Sequence, residues 1–154
     1  MQKVLIALDY GPTAKEVADG GYMLAKEMNA EITLLHVAMD VPYYSSLEFS
    51  PVMGYVGFMN LDTMISDEEI KRRALEFLDK SRDYLGSKTI ELIVKQGDTP
   101  EMILQAAKEL ESDIIVIGSH SRKWLDKILM GSVTEKLMDE SRVPLYIIPT
   151  KQKK

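Results

Sequence analysis

Five short apolar runs, separated by segments of helical periodicity, constrain the fold of this chain more than any other feature. They are KVLIALD (3–9), EITLLHV (31–37), TIELIVK (89–95), DIIVIGS (113–119) and PLYIIP (144–149). The first, second, fourth and fifth are almost continuously apolar. That is the pattern of parallel strands buried on both faces, whereas a sheet with one wet face alternates apolar and polar residues. The third carries polar Glu91 and Lys95, which suits a strand nearer an edge.

Helical patterns fill the intervals. Over 12–28, Ala14, Val17, Ala18, Gly21, Leu24, Ala25 and Met28 fall on one stripe of period 3.6. Over 66–86, Ser66 and Glu69 form a capping-box signature ahead of an apolar face of Ile70, Ala74, Phe77, Leu78 and Leu85. Over 99–111, Thr99 is placed to cap, Pro100 suits the first helical position, and Ile103, Ala106, Ala107 and Leu110 point inward. A last helix over 132–141 repeats the capping box in Ser132 and Glu135. Alternation of this kind predicts a single-domain, doubly wound α/β sheet over residues 1–150, with a solvated basic tail, KQKK, at 151–154.

Composition narrows the function. The 154 residues suffice for one buried core, and the net charge of -5 argues against a nucleic-acid partner, which calls for a basic face. Without cysteine there are no disulfides, no thiolate chemistry and no cysteine metal sites. The opening MQKVLIALDY reaches an aspartate too soon for a signal peptide, and no stretch approaches the roughly 18 apolar residues of a membrane span. The chain therefore reads as cytoplasmic, with no membrane partner. Residues 38–65 form one long connection rich in Tyr, Phe and Met, either a flap over the core or a partner chain, or a lid over a ligand.

In an open parallel sheet, ligands bind beyond the carboxyl ends of the strands, where the strand order reverses. Asp9 closes the first strand and Gly118 the fourth. Asp9 either accepts from a ribose hydroxyl or caps the helix after Pro12. Gly118 and Gly131 either let a phosphate approach the backbone or satisfy turns of positive φ. Ser132 opens a helix whose free amides and dipole favour an anion, and it serves as cap, ligand or both. His36, inside the second strand, reads as a hydrogen-bonded structural histidine. His120, Arg122, Lys123 and Lys127 lie on the intervening loop, where they either meet phosphates or are simply solvated. No GxxxxGK phosphate loop, GxSxG elbow or HExxH metal site occurs, so no catalytic residue and no protein-held metal is assigned.

The pattern Gly118-x2-Ser121-x9-Gly131-Ser132 resembles the nucleotide motif of the universal stress protein family, G-x2-G-x9-G followed by Ser or Thr. The resemblance extends along the chain, from KVLIALDYGPTAKEVADGGYMLAKEMNAEITLLHV through GDTPEMILQAAKELESDIIVIGSHS to GSVTEKLMDESRVPLYIIP. It implies a five-stranded parallel sheet of order 3-2-1-4-5 with helices on both faces. It also implies ATP, carried with magnesium, because members with the full motif bind it. By position, Asp9 would sit at the ribose and the Val37 backbone at the adenine. Gly118, Ser121, Gly131, Ser132, Val133 and Thr134 would surround the ribose and phosphates. The resemblance further implies a homodimer through the last strand (144–149), a role in stress tolerance and signalling, and weak or no ATP hydrolysis.

Ser121 departs from that pattern, since the nucleotide-binding branch has glycine there. If the position is left-handed, a side chain costs roughly 1–2 kcal/mol. If it needs only a bare backbone near phosphate, the hydroxyl instead adds a donor. A nucleotide-free dimeric interaction protein of the same fold, or a slow ATPase, are the alternatives that the sequence leaves.

Overall fold

The computed structural model describes residues 1–38, 66–119 and 131–150. The 38–65 connection beyond Ala38, the loop with Ser121, and the basic tail lie outside the described residues. Strands β1 (Lys3–Ala7), β2 (Glu31–Ala38), β3 (Glu91–Gln96), β4 (Ile114–Gly118) and β5 (Leu145–Ile148) alternate with helices α1 (Ala14–Met28), α2 (Asp67–Leu85), α3 (Thr99–Leu110) and α4 (Ser132–Glu140). All strand pairings are parallel and the order is β3-β2-β1-β4-β5. Both architecture and order match the expectation, and the partly polar third strand stands at an edge.

Continuous apolar strands are required here because each face of the sheet is covered. Val4, Ile6 and Leu8 project with Ile32 and Leu34 into a core shared with α1 and α2, through Val17, Ala18, Ala25 and Leu78. Leu5, Leu35, Val37, Ile115 and Ile117 project into the opposite core, against Ile103, Ala106 and Ala107 of α3 and Leu137 of α4. Leu5, Ile6, Leu34, Leu35 and Ile115 are wholly inaccessible to solvent. Each such side chain stabilises the fold by about 1.5–3 kcal/mol. Helix α1 comes unusually close to the sheet because Gly21 offers no Cβ: one placed there would stand 2.7 Å from Ile6 Cδ1 and 3.1 Å from Val116 Cγ1.

The helix starts follow local chemistry, with two corrections. Ser66 caps α2 as expected, its Oγ accepting from the Glu69 amide at 3.1 Å. Helix α3 is capped by Asp98 rather than Thr99, the Asp98 carboxylate accepting from the Glu101 amide at 3.2 Å. Asp98 is extended and so presents its carboxylate to the first turn, while Thr99 already belongs to the helix. Helix α4 is entered through Gly131, not Ser132, and no side chain among the described residues caps it. Ser132 is already the first helical residue, one position too late to be the cap.

Candidate functional site

With β1 central, the chain passes to β2 on one side and reaches β4 and β5 on the other, so the strand order reverses between β1 and β4. Ligands of open parallel sheets bind in the crevice above such a point. The register pairs Ala7 with Leu35 and Ile6 with Val116. Continued by two residues on one side and three on the other, it brings Asp9 level with Val37 and with Ser119. Two of the chain's candidate residues, Asp9 and Val37, thus converge at one height, beside the end of β4. Asp9 is exposed there, and its carboxylate accepts from the Tyr10 amide at 2.6 Å. It does not cap α1, whose N-cap is Thr13. Of its two readings, the capping one is removed.

The end of β2 is opened by a histidine. Leu35 still accepts from the Leu8 amide at 2.8 Å, and Ala38, on the other edge, accepts from Gly97 at 2.9 Å. Alternation along a strand then turns the Val37 peptide toward β1. There the Leu8 carbonyl is taken by His36 Nδ1, which donates to it at 2.7 Å, and the Tyr10 amide turns to Asp9. The Val37 peptide groups therefore face the crevice past the last rung of the ladder. Its side chain is buried in the core, so only its backbone can meet a ligand.

His36 fits its expected structural part through one nitrogen only. Nδ1 carries the proton, while Nε2 is buried with no hydrogen-bond partner among the described residues. The ring packs against Tyr10, with centroids 4.3 Å apart, and Phe77, at 5.6 Å. Burial pushes its pKa below the ordinary histidine value, more strongly than the Leu8 carbonyl and the Asp9 charge raise it.

On the far side of the crevice stands the start of α4. Gly131 has φ -70° and ψ 157°, an extended conformation open to any residue, and Gly118 also avoids the left-handed region. The positive-φ reading of both glycines is thereby corrected. Gly118 is needed for space instead: a Cβ would stand 2.9 Å from Val17 Cγ2 and 3.0 Å from Thr150 Cγ2. The first intrahelical bond of α4 runs from the Glu135 amide to the Gly131 carbonyl at 3.0 Å. The amides of Ser132, Val133 and Thr134 consequently have no acceptor within the helix, and they carry the positive end of its dipole. Ser132 is exposed, so its hydroxyl is available beside these amides. Val133 packs on the core and offers only backbone. Thr134 turns its hydroxyl away, donating to the Gly118 carbonyl at 2.9 Å.

Ser119 and Thr150, which no sequence pattern marks, bury their hydroxyls against this same strand end. Small polar residues at a strand end are too common to signal such a role. Ser121, with His120, Arg122, Lys123 and Lys127, lies outside the described residues.

A family model described as the universal stress protein family matches residues 1–149. This chain belongs to that family. Universal stress protein MJ0577 of Methanocaldococcus jannaschii is 30% identical over 158 residues, covering 97% of this chain and 96% of its own. Its solved structure superposes with a TM-score of 0.74 over 99% of this chain and 98% of that one, at 24% identity. A universal stress protein in complex with cAMP has a TM-score of 0.65 at 18% identity, covering 97% of each chain. A family member from Arabidopsis thaliana with AMP bound has a TM-score of 0.61 at 19% identity, covering 97% of this chain and 92% of that one. At such identities the two complexes establish likeness of fold. Among the described residues, no helix is long and apolar enough to cross a membrane.

Proposed function

We propose that this universal stress protein binds an adenine nucleotide, ATP with magnesium, in the crevice between β1 and β4, and works as a dimeric regulatory module of the stress response. The observation that carries the reading is the convergence at the reversal point. An exposed carboxylate, the open peptide of Val37 and the uncapped start of α4 stand at the ends of adjacent strands. Each suits one part of the ligand. Asp9 can accept from ribose hydroxyls, and the Val37 peptide offers both a donor and an acceptor to a base edge. The amides of α4 with the Ser132 hydroxyl suit phosphate oxygens. When bound, magnesium would neutralise phosphate charge, its remaining positions filled by water. That structural relatives carry cAMP and AMP supports the ligand class.

Calorimetric titration with MgATP tests the reading, with Gly131→Val as control. A Kd in the micromolar range, about -8 kcal/mol, is expected for the natural protein. Binding should fall sharply in Gly131→Val, because a branched side chain would crowd the phosphates while the extended backbone tolerates it. No heat and no thermal shift at millimolar MgATP would refute the proposal. Ser121 in place of the motif glycine favours the second reading, a nucleotide-free interaction protein, and that outcome would select it.

A further inference from the structure

Three hydroxyl-bearing residues meet beneath the start of α4, and all are buried: Ser119 is 9% exposed, Thr134 2% and Thr150 2%. Ser119 is bonded in three directions. Its amide donates to the Ile148 carbonyl at 2.9 Å, and its carbonyl accepts from the Gly131 amide at 2.7 Å. Its Oγ accepts from the Thr150 amide at 2.9 Å and lies 3.3 Å from Thr150 Oγ1. Thr134 adds the other tie, its Oγ1 donating to the Gly118 carbonyl at 2.9 Å and reaching the Ser119 carbonyl at 3.5 Å. The end of β4, Thr150 two residues past β5 and the first turn of α4 are thus joined through Ser119 and Thr134.

We propose that Ser119, Thr134 and Thr150 form a buried hydroxyl clasp that positions the start of α4 for a polyphosphate without touching it. The inference rests on the nucleotide reading above and reassigns Thr134: its side chain holds the helix, and only its amide is left to face phosphate. The physical reason is geometric. The end of β4 and the start of α4 meet at Ser119 and Gly131, so the direction of α4 is set where the two are joined. Closure is made by the Gly131 amide on the Ser119 carbonyl and by the Thr134 hydroxyl on the Gly118 carbonyl. Amides that bind an anion act through their orientation, and misorientation is costly where they are fixed in advance. Buried hydroxyls suit this part because an unmade bond there is penalised, which leaves the clasp few alternative arrangements.

The test compares Thr134→Val, which keeps the shape and loses the hydroxyl, with Thr134→Ser, which keeps the hydroxyl. MgATP and adenosine are titrated against each. Thr134→Val should weaken MgATP about tenfold and leave adenosine within about twofold, because only the phosphates meet α4. Thr134→Ser should restore MgATP to within about twofold of the natural protein. In the ligand-free proteins, exchange of the Gly131 amide hydrogen should be faster in Thr134→Val and unchanged in Thr134→Ser. Should Thr134→Val fail to fold, Ser119→Ala removes the acceptor of the Thr150 amide and the contact with Thr150 Oγ1, and the same selective loss of MgATP is expected. Equal losses of MgATP and adenosine, or unchanged MgATP affinity and unchanged Gly131 exchange, would overturn the clasp. Absence of MgATP binding by the natural protein would refute the nucleotide reading and the purpose given to the clasp. The exchange comparison would still decide whether the hydroxyls fix the helix start.

Discussion

Replacing Gly118 by alanine tests why a glycine closes β4. The backbone tolerates alanine there, so the unfolded-state effect of the change favours the variant by about 0.4–1 kcal/mol. Against this, the added Cβ would stand 2.9 Å from Val17 Cγ2 and 3.0 Å from Thr150 Cγ2. Both distances are roughly 0.5–1 Å inside ordinary carbon contact. Val17 is 5% exposed and Thr150 2%, so neither side chain can swing into solvent. Overpacking of this kind costs about 1–3 kcal/mol, which outweighs the gain and leaves a net loss of about 0.5–2 kcal/mol. In urea denaturation followed by circular dichroism, the midpoint should fall with an unchanged slope. A second substitution locates the cause. Val17→Ala alone should destabilise by creating a small void, yet combined with Gly118→Ala it should cost less than the sum, with a coupling of about 1 kcal/mol. Gly118→Ala as stable as the natural protein, or strict additivity with Val17→Ala, would refute the packing argument.

Two further outcomes follow from the structure. Among the described residues strand β5 pairs only with β4, and Tyr146 on it is 42% exposed, so pairing across a two-fold axis would cover an open edge; a dimer is expected by light scattering at about tens of micromolar, and a monomer there would count against it. Burial holds the folded-state pKa of His36 below the ordinary histidine value of about 6.5, so as pH falls through that value the unfolded chain takes a proton that the native ring refuses. Its contribution is complete above that value and is lost as pH drops toward the folded pKa, by at most about 1.4 kcal/mol per pH unit. His36→Asn should flatten this part of the stability profile between about pH 7.5 and 5.5, and an unaltered slope would show that other groups carry it.

Hydrophobic period was enough to read every strand and helix described, because burial on both faces of a parallel sheet leaves a continuous apolar signature in β1, β2 and β4 that no other arrangement of short strands requires. The same reasoning singled out Asp9 and Gly118, since a charge or a glycine at the end of an apolar run has no core to serve. Strand order was accessible only through the family likeness of the glycine–serine loop. Nothing in the local pattern says which side of β1 receives β4, a choice settled by how helices pack over both faces. The tertiary structure alone decided what each site residue does. Gly118 is excluded from bearing a side chain by Val17, remote in the chain, and not by its own φ. The family resemblance set Thr134 among the residues around the ribose and phosphates, whereas its hydroxyl is spent on the Gly118 carbonyl. His36 was legible as a buried histidine, yet its effect on the β1–β2 ladder depends on Leu8, 28 residues away. A hydrogen bond between residues distant in sequence leaves no periodicity to detect, and it exists only once the sheet has brought its two ends together.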